Sequence, residues 1–213
     1  MATSAAFDHL VVAAKTLEAG EDHLEHLLGV RPRRGGKHLA MGTHNSLLHL
    51  GERRFIELIA IDPDGVAPTR PRWFGLDSAA MRDALAAGPR LIHWVARCDD
   101  LDAVRRACRI DPGRVHDMSR GSYNWRITIP DDGHLPGAGV IPTLIQWSDA
   151  RHPAENLPDS GLRLIALSAA HPEPAVIRAA LSALPPTDAP KVTFGTPARL
   201  AAMLKTPRGT VTL

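Results

Sequence analysis

The chain has 213 residues, 44% of them apolar, and a formal net charge of +2, which is the composition of an ordinary soluble globular protein. Its basic residues form no stripe and match no nucleic-acid-binding module, so nucleic acid is not an expected partner. The sequence has no run of 18 apolar residues and no basic leader before an apolar segment, so neither a membrane helix nor a secretory signal is predicted.

An internal repeat organises the first part of the chain. A histidine opens a short apolar strand at His9 and again at His93. In both places a helix-capping residue follows, and a leucine begins a helix eight residues after the histidine, at Leu17 and at Leu101. Strand-forming runs come after each helix. Each half is therefore predicted to be a β-α-β-β-β module.

The first module is predicted to occupy residues 1–62 and the second residues 89–150, joined by a linker over residues 63–88 that carries a short helix after Asp77. The glycines between the predicted strands are interpreted as turn formers. They are Gly35, Gly36, Gly42 and Gly51.

Residues 151–213 are predicted to form a partial third copy, a β-α-β-β extension. The strand at 164–167 aligns with the strand around His93, but Ala166 stands where the histidine would be. Further elements predicted in chain order are a helix from 172–174 to Leu184, a strand at 192–194, a helix at 197–204 and a strand at 210–213. Because the polar position is lost, this copy is expected to serve as scaffold.

Several blocks resemble the glyoxalase-like domain family of the vicinal-oxygen-chelate superfamily. They are Phe7-Asp8-His9-Leu10-Val11, the stretches 35–38, 42–51 and 55–63, the strand Ile141 to Trp147, and His152-Pro153. The resemblance implies an α+β fold, in which paired βαβββ modules form a curved mixed sheet around a cleft with a C-terminal partial third module. It leaves function open, because this superfamily includes lyases, thiol transferases, dioxygenases, isomerases and non-catalytic binders.

The resemblance also implies a metal site. In this superfamily the ligands come from the first and last strands of each module, which here supply His9, Glu57, His93 and Gln146. Two histidines and a carboxylate suit Fe, Mn, Ni or Zn, and no organic cofactor is expected. Glu57 is the candidate catalytic base. Gln146 departs from the glutamate usual at its corner, and an amide ligates weakly and cannot act as a base.

Strand geometry partly supports this set, because side chains alternate between the two faces of a strand. Glu57 then shares an apolar face with Phe55 and Ile59, where a carboxylate is costly without a compensating cation or donors. The same pattern has a plainer interpretation, in which His9 and Glu57 form a buried ion pair within the core.

Five further residues are candidate substrate contacts. Asn45 and His49 share a strand face, and His38 follows the glycine pair. Trp125 and Arg126 lie on a strand of the second module. Arg126 would bind a carboxylate or phosphate if it faces the cleft, and would be ordinary edge charge if it faces outward.

Three functions remain open. The first is a divalent-metal-dependent lyase, isomerase or dioxygenase that acts on a small substrate with vicinal oxygens. The second is a metal-free binding or resistance protein that uses the same cleft, and the third is a structural module. A homodimer is compatible with the family but not required by the site. Cys98 and Cys108 form no disulfide framework or CxxC motif, so a reducing cytoplasm is the expected location.

Overall fold

The computed structural model describes residues 5–182 and 189–213. Among these residues, none of the helices has both the length and the apolar character needed to cross a membrane. The predicted α+β architecture is confirmed, because two modules share one mixed sheet and a third unit forms a smaller sheet.

The first eight strands form one sheet in the order β2-β3-β4-β1-β5-β8-β7-β6. The first module contains β1 Ala5–Ala13, α1 Leu17–Leu28, β2 Arg33–His38, β3 Thr43–His49 and β4 Phe55–Ile61. The linker contains a short 3-10 turn at Trp73–Gly75 and α2 Ala79–Ala86. The second module contains β5 Arg90–Cys98, α3 Leu101–Ala107, β6 Arg114–Arg120, β7 Tyr123–Ile129 and β8 Thr143–Trp147.

The pairing repeats between the modules. Strand β1 is parallel to β4, and β5 is parallel to β8. The modules meet where β1 pairs antiparallel with β5, so their sheets join edge to edge into a curved half-barrel. Each module thus places its first and last strands at the centre of the sheet.

The helix ends follow the sequence signals. Thr16 caps α1, since its hydroxyl accepts a hydrogen bond from the backbone N–H of Ala19 at 3.2 Å. Gly29 ends the helix with a φ of 78°, a left-handed conformation that glycine adopts at little cost. Leu17, Leu24 and Leu28 are buried on the face that packs against the sheet.

The two faces of the large sheet have separate cores. Leu10 and Val12 point into a core with α1, α3 and the third unit. Val11 and Ala13 point the other way, into a core that contains Trp73 and other residues of the linker. The cleft lies on this second face.

The third unit is a four-stranded sheet in the order β10-β9-β11-β12. It contains β9 Arg163–His171, α4 Pro174–Ser182, β10 Lys191–Phe194, β11 Arg199–Thr206 and β12 Gly209–Thr212. The helix predicted at 197–204 is wrong, because this segment is β11. Its buried residues alternate (Leu200, Ala202, Leu204) and pair with β9, which is the period of a strand. Leu184, at the predicted end of α4, lies outside the described residues.

Candidate functional site

The cleft has a mixed aromatic and polar lining and little free space. Its free volume is about 20 Å³, close to what one water molecule needs. It lies between the central strands, the linker turn and the hairpin of β6 and β7. The lining residues are His9, His38, Phe55, Glu57, Trp73, Phe74, Arg120, Trp125, Ile127, Ile145 and Trp147.

A buried carboxylate fixes His9. Asp8 is fully buried, and its Oδ1 lies 2.6 Å from His9 Nδ1. Its Oδ2 accepts hydrogen bonds from Trp147 Nε1 at 3.0 Å and from His152 Nε2 at 3.1 Å. Burial raises the pKa of Asp8, but the hydrogen bonds from His152 and His9 outweigh it and hold that pKa well below its usual range. An ionised Asp8 therefore orients His9 so that Nε2 faces the cleft.

Glu57 is buried within ion-pair distance of two histidines. Its Oε2 lies 3.7 Å from His9 Nε2, and its Oε1 lies 3.8 Å from His38 Nε2. Asn45 Nδ2 donates a hydrogen bond to Oε1 at 2.6 Å. This donor compensates part of the cost of burying the carboxylate, so Asn45 positions Glu57.

The glycine pair before His38 makes room for the side chain of Asn45. Gly35 and Gly36 were predicted to form a turn, but they lie inside β2 at a shift in its register with β3. A Cβ on Gly35 would lie 2.3 Å from Asn45 Oδ1, and the backbone N–H of Gly36 donates to the same oxygen at 3.1 Å. The absence of side chains lets Asn45 pass close to β2 and reach Glu57.

His38 is held as a neutral imidazole. Burial lowers its pKa to about 4, against the opposing charge of Glu57. Its Nδ1 lies 3.1 Å from Thr43 Oγ1, and its Nε2 lies 3.5 Å from Arg120 Nη1. Because the guanidinium can only donate, Nε2 is the acceptor and Nδ1 carries the proton.

Arg120 brings a cation from the second module to the first. It ends β6 and is partly buried. Burial lowers the pKa of Arg120, and the charge of Glu57 raises it in opposition. The polar centre of the cleft thus contains Glu57 and a facing guanidinium, which can bind an anionic oxygen.

Trp73 adds an unused donor. The residue is 3% exposed and lines the cleft. Its indole N–H has no hydrogen-bond partner among the described residues. A buried N–H without an acceptor costs free energy, and a ligand oxygen would satisfy it.

The four residues predicted as metal ligands are not all brought together. His93 is fully buried, and Gly139 O and Thr143 Oγ1 each lie 3.0 Å from one of its ring nitrogens. Burial lowers its pKa to about 4, partly offset by the bond to Gly139. Gln146 lies on the opposite face, where its Oε1 accepts from the N–H of Leu101 at 3.1 Å and its Nε2 donates to Asp99 O at 2.7 Å.

The remaining predicted substrate contacts divide between the cleft and other surfaces. Trp125 and His38 line the cleft. Asn45 does not line it, but donates a hydrogen bond to Glu57, which does. Arg126 points to the helix side and forms an ion pair with Asp102 at 2.8 Å. His49 lies near the third unit, 3.5 Å from Asp159.

These side chains do not fit the implied metal set. Both ring nitrogens of His93 are engaged, and Gln146 faces away from the cleft. Ile145 and Trp147 occupy the corresponding positions of β8 on the cleft side. Over the described ranges, no group of three or more His, Cys, Asp or Glu residues is arranged to hold a metal ion.

Four residues of the site were not identified from the sequence: Asp8, Trp73, Arg120 and His152. His152 belongs to a block that carried the family resemblance, but its position beyond the second module gave no reason to place it beside the first strand. Asp8 is adjacent to His9 and would be assigned to the opposite face by strand alternation. Trp73 and Arg120 come from the linker and a hairpin end, which carry no periodic signal.

Comparison with solved structures finds proteins that resemble this chain. A hypothetical protein from Staphylococcus aureus has a TM-score of 0.60 at 12% identity, covering 100% of this chain and 84% of that one. Methylmalonyl-CoA epimerase from Mycobacterium tuberculosis has a TM-score of 0.43 at 20% identity, covering 71% of this chain and 93% of that one. The first similarity bears on fold alone, and nothing is inferred from the second. A comparison with curated proteins found no match.

The family is shown by sequence. The model of the glyoxalase-like domain family matches residues 7–184, which include both modules and the start of the third unit. The sequence resemblance to this family is therefore confirmed. The chain belongs to the glyoxalase-like domain family.

Proposed function

We propose that the cleft binds a small organic molecule with a carbonyl or carboxylate oxygen, and that His9 and Glu57 exchange a proton with it without a resident metal. The observation that carries this proposal is the line from Asp8 through His9 to Glu57, with separations of 2.6 Å and 3.7 Å. A carboxylate behind an imidazole fixes its orientation, and a positioned His or Glu is the usual general base.

Two donors support the binding of an oxygen. Arg120 supplies a positive charge beside Glu57, and Trp73 supplies an unpaired N–H. Together they can hold a carboxylate or stabilise an enolate oxygen while the proton is removed. The apolar rings around them exclude water, which strengthens these interactions.

Ligand entry requires the lining to move, because the free volume of about 20 Å³ is smaller than any organic substrate. The linker turn is the expected moving part. Phe74 has a φ of 58° there, a left-handed conformation that is strained for a residue with a Cβ. Displacement of this turn would release strain and open the cleft beside Trp73.

The test is proton exchange without metal. The untagged protein, dialysed against a chelator, is incubated in D₂O with 2-oxo acids such as pyruvate and with α-hydroxy ketones such as dihydroxyacetone, and loss of the α-proton signal is followed by NMR. We expect enzyme-dependent exchange that survives chelation. Glu57→Gln and His9→Ala should lower the exchange rate by about 100-fold or more, while Gln146→Ala should not. Exchange only after a divalent metal is added would overturn the proposal.

A second candidate is binding without catalysis. It is favoured by the hydrogen bond from Asn45 at 2.6 Å, which holds the Glu57 carboxylate in place. Calorimetric titration of the same compounds separates the two functions. Binding that depends on Arg120 and Trp73, with no exchange above the buffer rate, would support this second function.

A further inference from the structure

Two adjoining cavities lie away from the cleft. The larger, about 890 Å³, lies between α1, the start of β5 and the third sheet. The smaller, about 420 Å³, lies between α2, the start of β5 and the start of β11. Both are lined by Arg90, Leu91, Arg199 and Leu200, so the two arginines stand at their junction.

The ionisable side chains of the larger cavity are all basic. Its ionisable side chains are those of His23, Arg90, Lys191 and Arg199, and among the described residues no Asp or Glu side chain lines it. Within the described residues, the side chains of Arg90, Lys191 and Arg199 have neither an ion pair nor a hydrogen bond. Most other arginines of this chain are paired with a carboxylate or a carbonyl, as Arg31 and Arg34 are. The cavity is thus electrostatically complementary to an anion.

The walls on either side of the arginines are apolar. Leu24, Leu27 and Leu213 line the larger cavity, and Met81 and Leu135 line the smaller one. An inorganic anion would contact only the junction. A ligand with an apolar body would also remove the partly exposed side chains from water, which are those of Leu27, Leu213, Met81 and Leu135. Such burial is the main source of affinity in sites of this kind.

We propose that this double cavity binds a free amphipathic anion, with its carboxylate or phosphate group between Arg90 and Arg199 and its hydrocarbon body against Leu27 and Leu213. The site is separate from the cleft and shares none of its lining residues. It therefore does not depend on the proton-transfer function.

The test is calorimetric titration of the full chain with decyl phosphate and decanoate below their critical micelle concentrations. We expect saturable binding that weakens as salt rises. Inorganic phosphate and decanol should each bind far more weakly, because each lacks one half of the ligand. Equal binding of decanol, or binding only to phosphatidylglycerol vesicles, would overturn the proposal.

Variants test the arginines of the site and the space in the larger cavity separately. Arg90→Gln and Arg199→Gln should each weaken decyl phosphate binding by roughly tenfold. Arg106→Gln, an exposed arginine of α3 outside both cavities, is the matched control and should leave binding unchanged. Ala201→Phe should block the larger cavity while circular dichroism shows an intact fold. Unchanged affinity in all three cavity variants would rule out this site.

Discussion

Asp8 and His9 are adjacent in sequence, yet their side chains meet at 2.6 Å between Oδ1 and Nδ1. In a regular strand neighbouring side chains point to opposite faces. The pairing of β1 with β5 shifts register between Phe7 and His9, leaving Asp8 as the extra residue. Such a bulge redirects a side chain, and bulges are frequent beside active sites. The irregularity places a buried carboxylate behind the histidine that faces the cleft.

The first prediction concerns Asp8→Asn. Loss of the charge weakens the bonds from His9, His152 and Trp147, so the free energy of unfolding at pH 7 should fall by about 2 to 4 kcal/mol. Because the folded pKa of Asp8 lies below the unfolded value of about 3.9, its contribution is complete above about pH 5 and declines as the pH falls. Urea unfolding should therefore show a smaller difference from wild type at pH 3 than at pH 7. A difference constant with pH, or equal to that of the exposed control Asp83→Asn, would contradict this.

The second prediction concerns the buried neutral histidines. The pKa of His93 is about 4 in the folded chain and about 6.5 when unfolded. The unfolded chain therefore binds more protons between these values, and stability declines as the pH falls below 6.5. At pH 5 the loss from His93 should be about 2 kcal/mol relative to pH 7.5. His93→Gln should show a correspondingly shallower pH dependence in urea unfolding, whereas the exposed control His26→Gln should follow wild type.

The third prediction tests whether Gln146 stabilises the start of α3 or serves as a metal ligand. Gln146 bonds the first turn of α3 through Leu101 and the preceding backbone through Asp99. Gln146→Ala should reduce the free energy of unfolding by about 1 kcal/mol. Affinity for cleft ligands should not change. If calorimetry instead shows a large loss of ligand or metal binding, the side chain has a role in the cleft that its position does not explain.

The fourth prediction concerns the unpaired indole. Trp73→Phe removes the N–H but keeps an aromatic ring against Phe74 and His38. Binding of an oxygen-bearing ligand in the cleft should weaken by roughly tenfold, measured by titration calorimetry. Thermal unfolding of the variant checks that the turn still folds. Undiminished affinity would show that the ligand does not use this donor.

The fifth prediction tests the charge of the cleft. Arg120→Gln should weaken binding of 2-oxo acids by about tenfold or more, because their carboxylate loses its cation. Neutral α-hydroxy ketones should lose much less. The comparison contains its own control, since a general disturbance of the hairpin would weaken both classes of compound equally.

The sequence by itself predicted the two modules and singled out His9 and Glu57 as candidate site residues. The histidine–strand–helix repeat has a fixed spacing, and a strand that is apolar at every position except Glu57 marks that residue as a polar group in buried surroundings. These are local signals. They recur in each module or lie in the stretches of sequence that resemble the family. The eight-stranded sheet confirms the architecture that they predicted.

Only the tertiary structure decided which polar residues meet. Because side chains in a strand have a period of two, a shift of one residue moves a side chain to the other face, and this separates Gln146 from Ile145 and Trp147 in the cleft. The bulge at Asp8 depends on pairing with β5, and Trp73, Arg120 and His152 reach the site from distant parts of the chain. Contacts of this kind arise from packing between elements, and no local pattern encodes them.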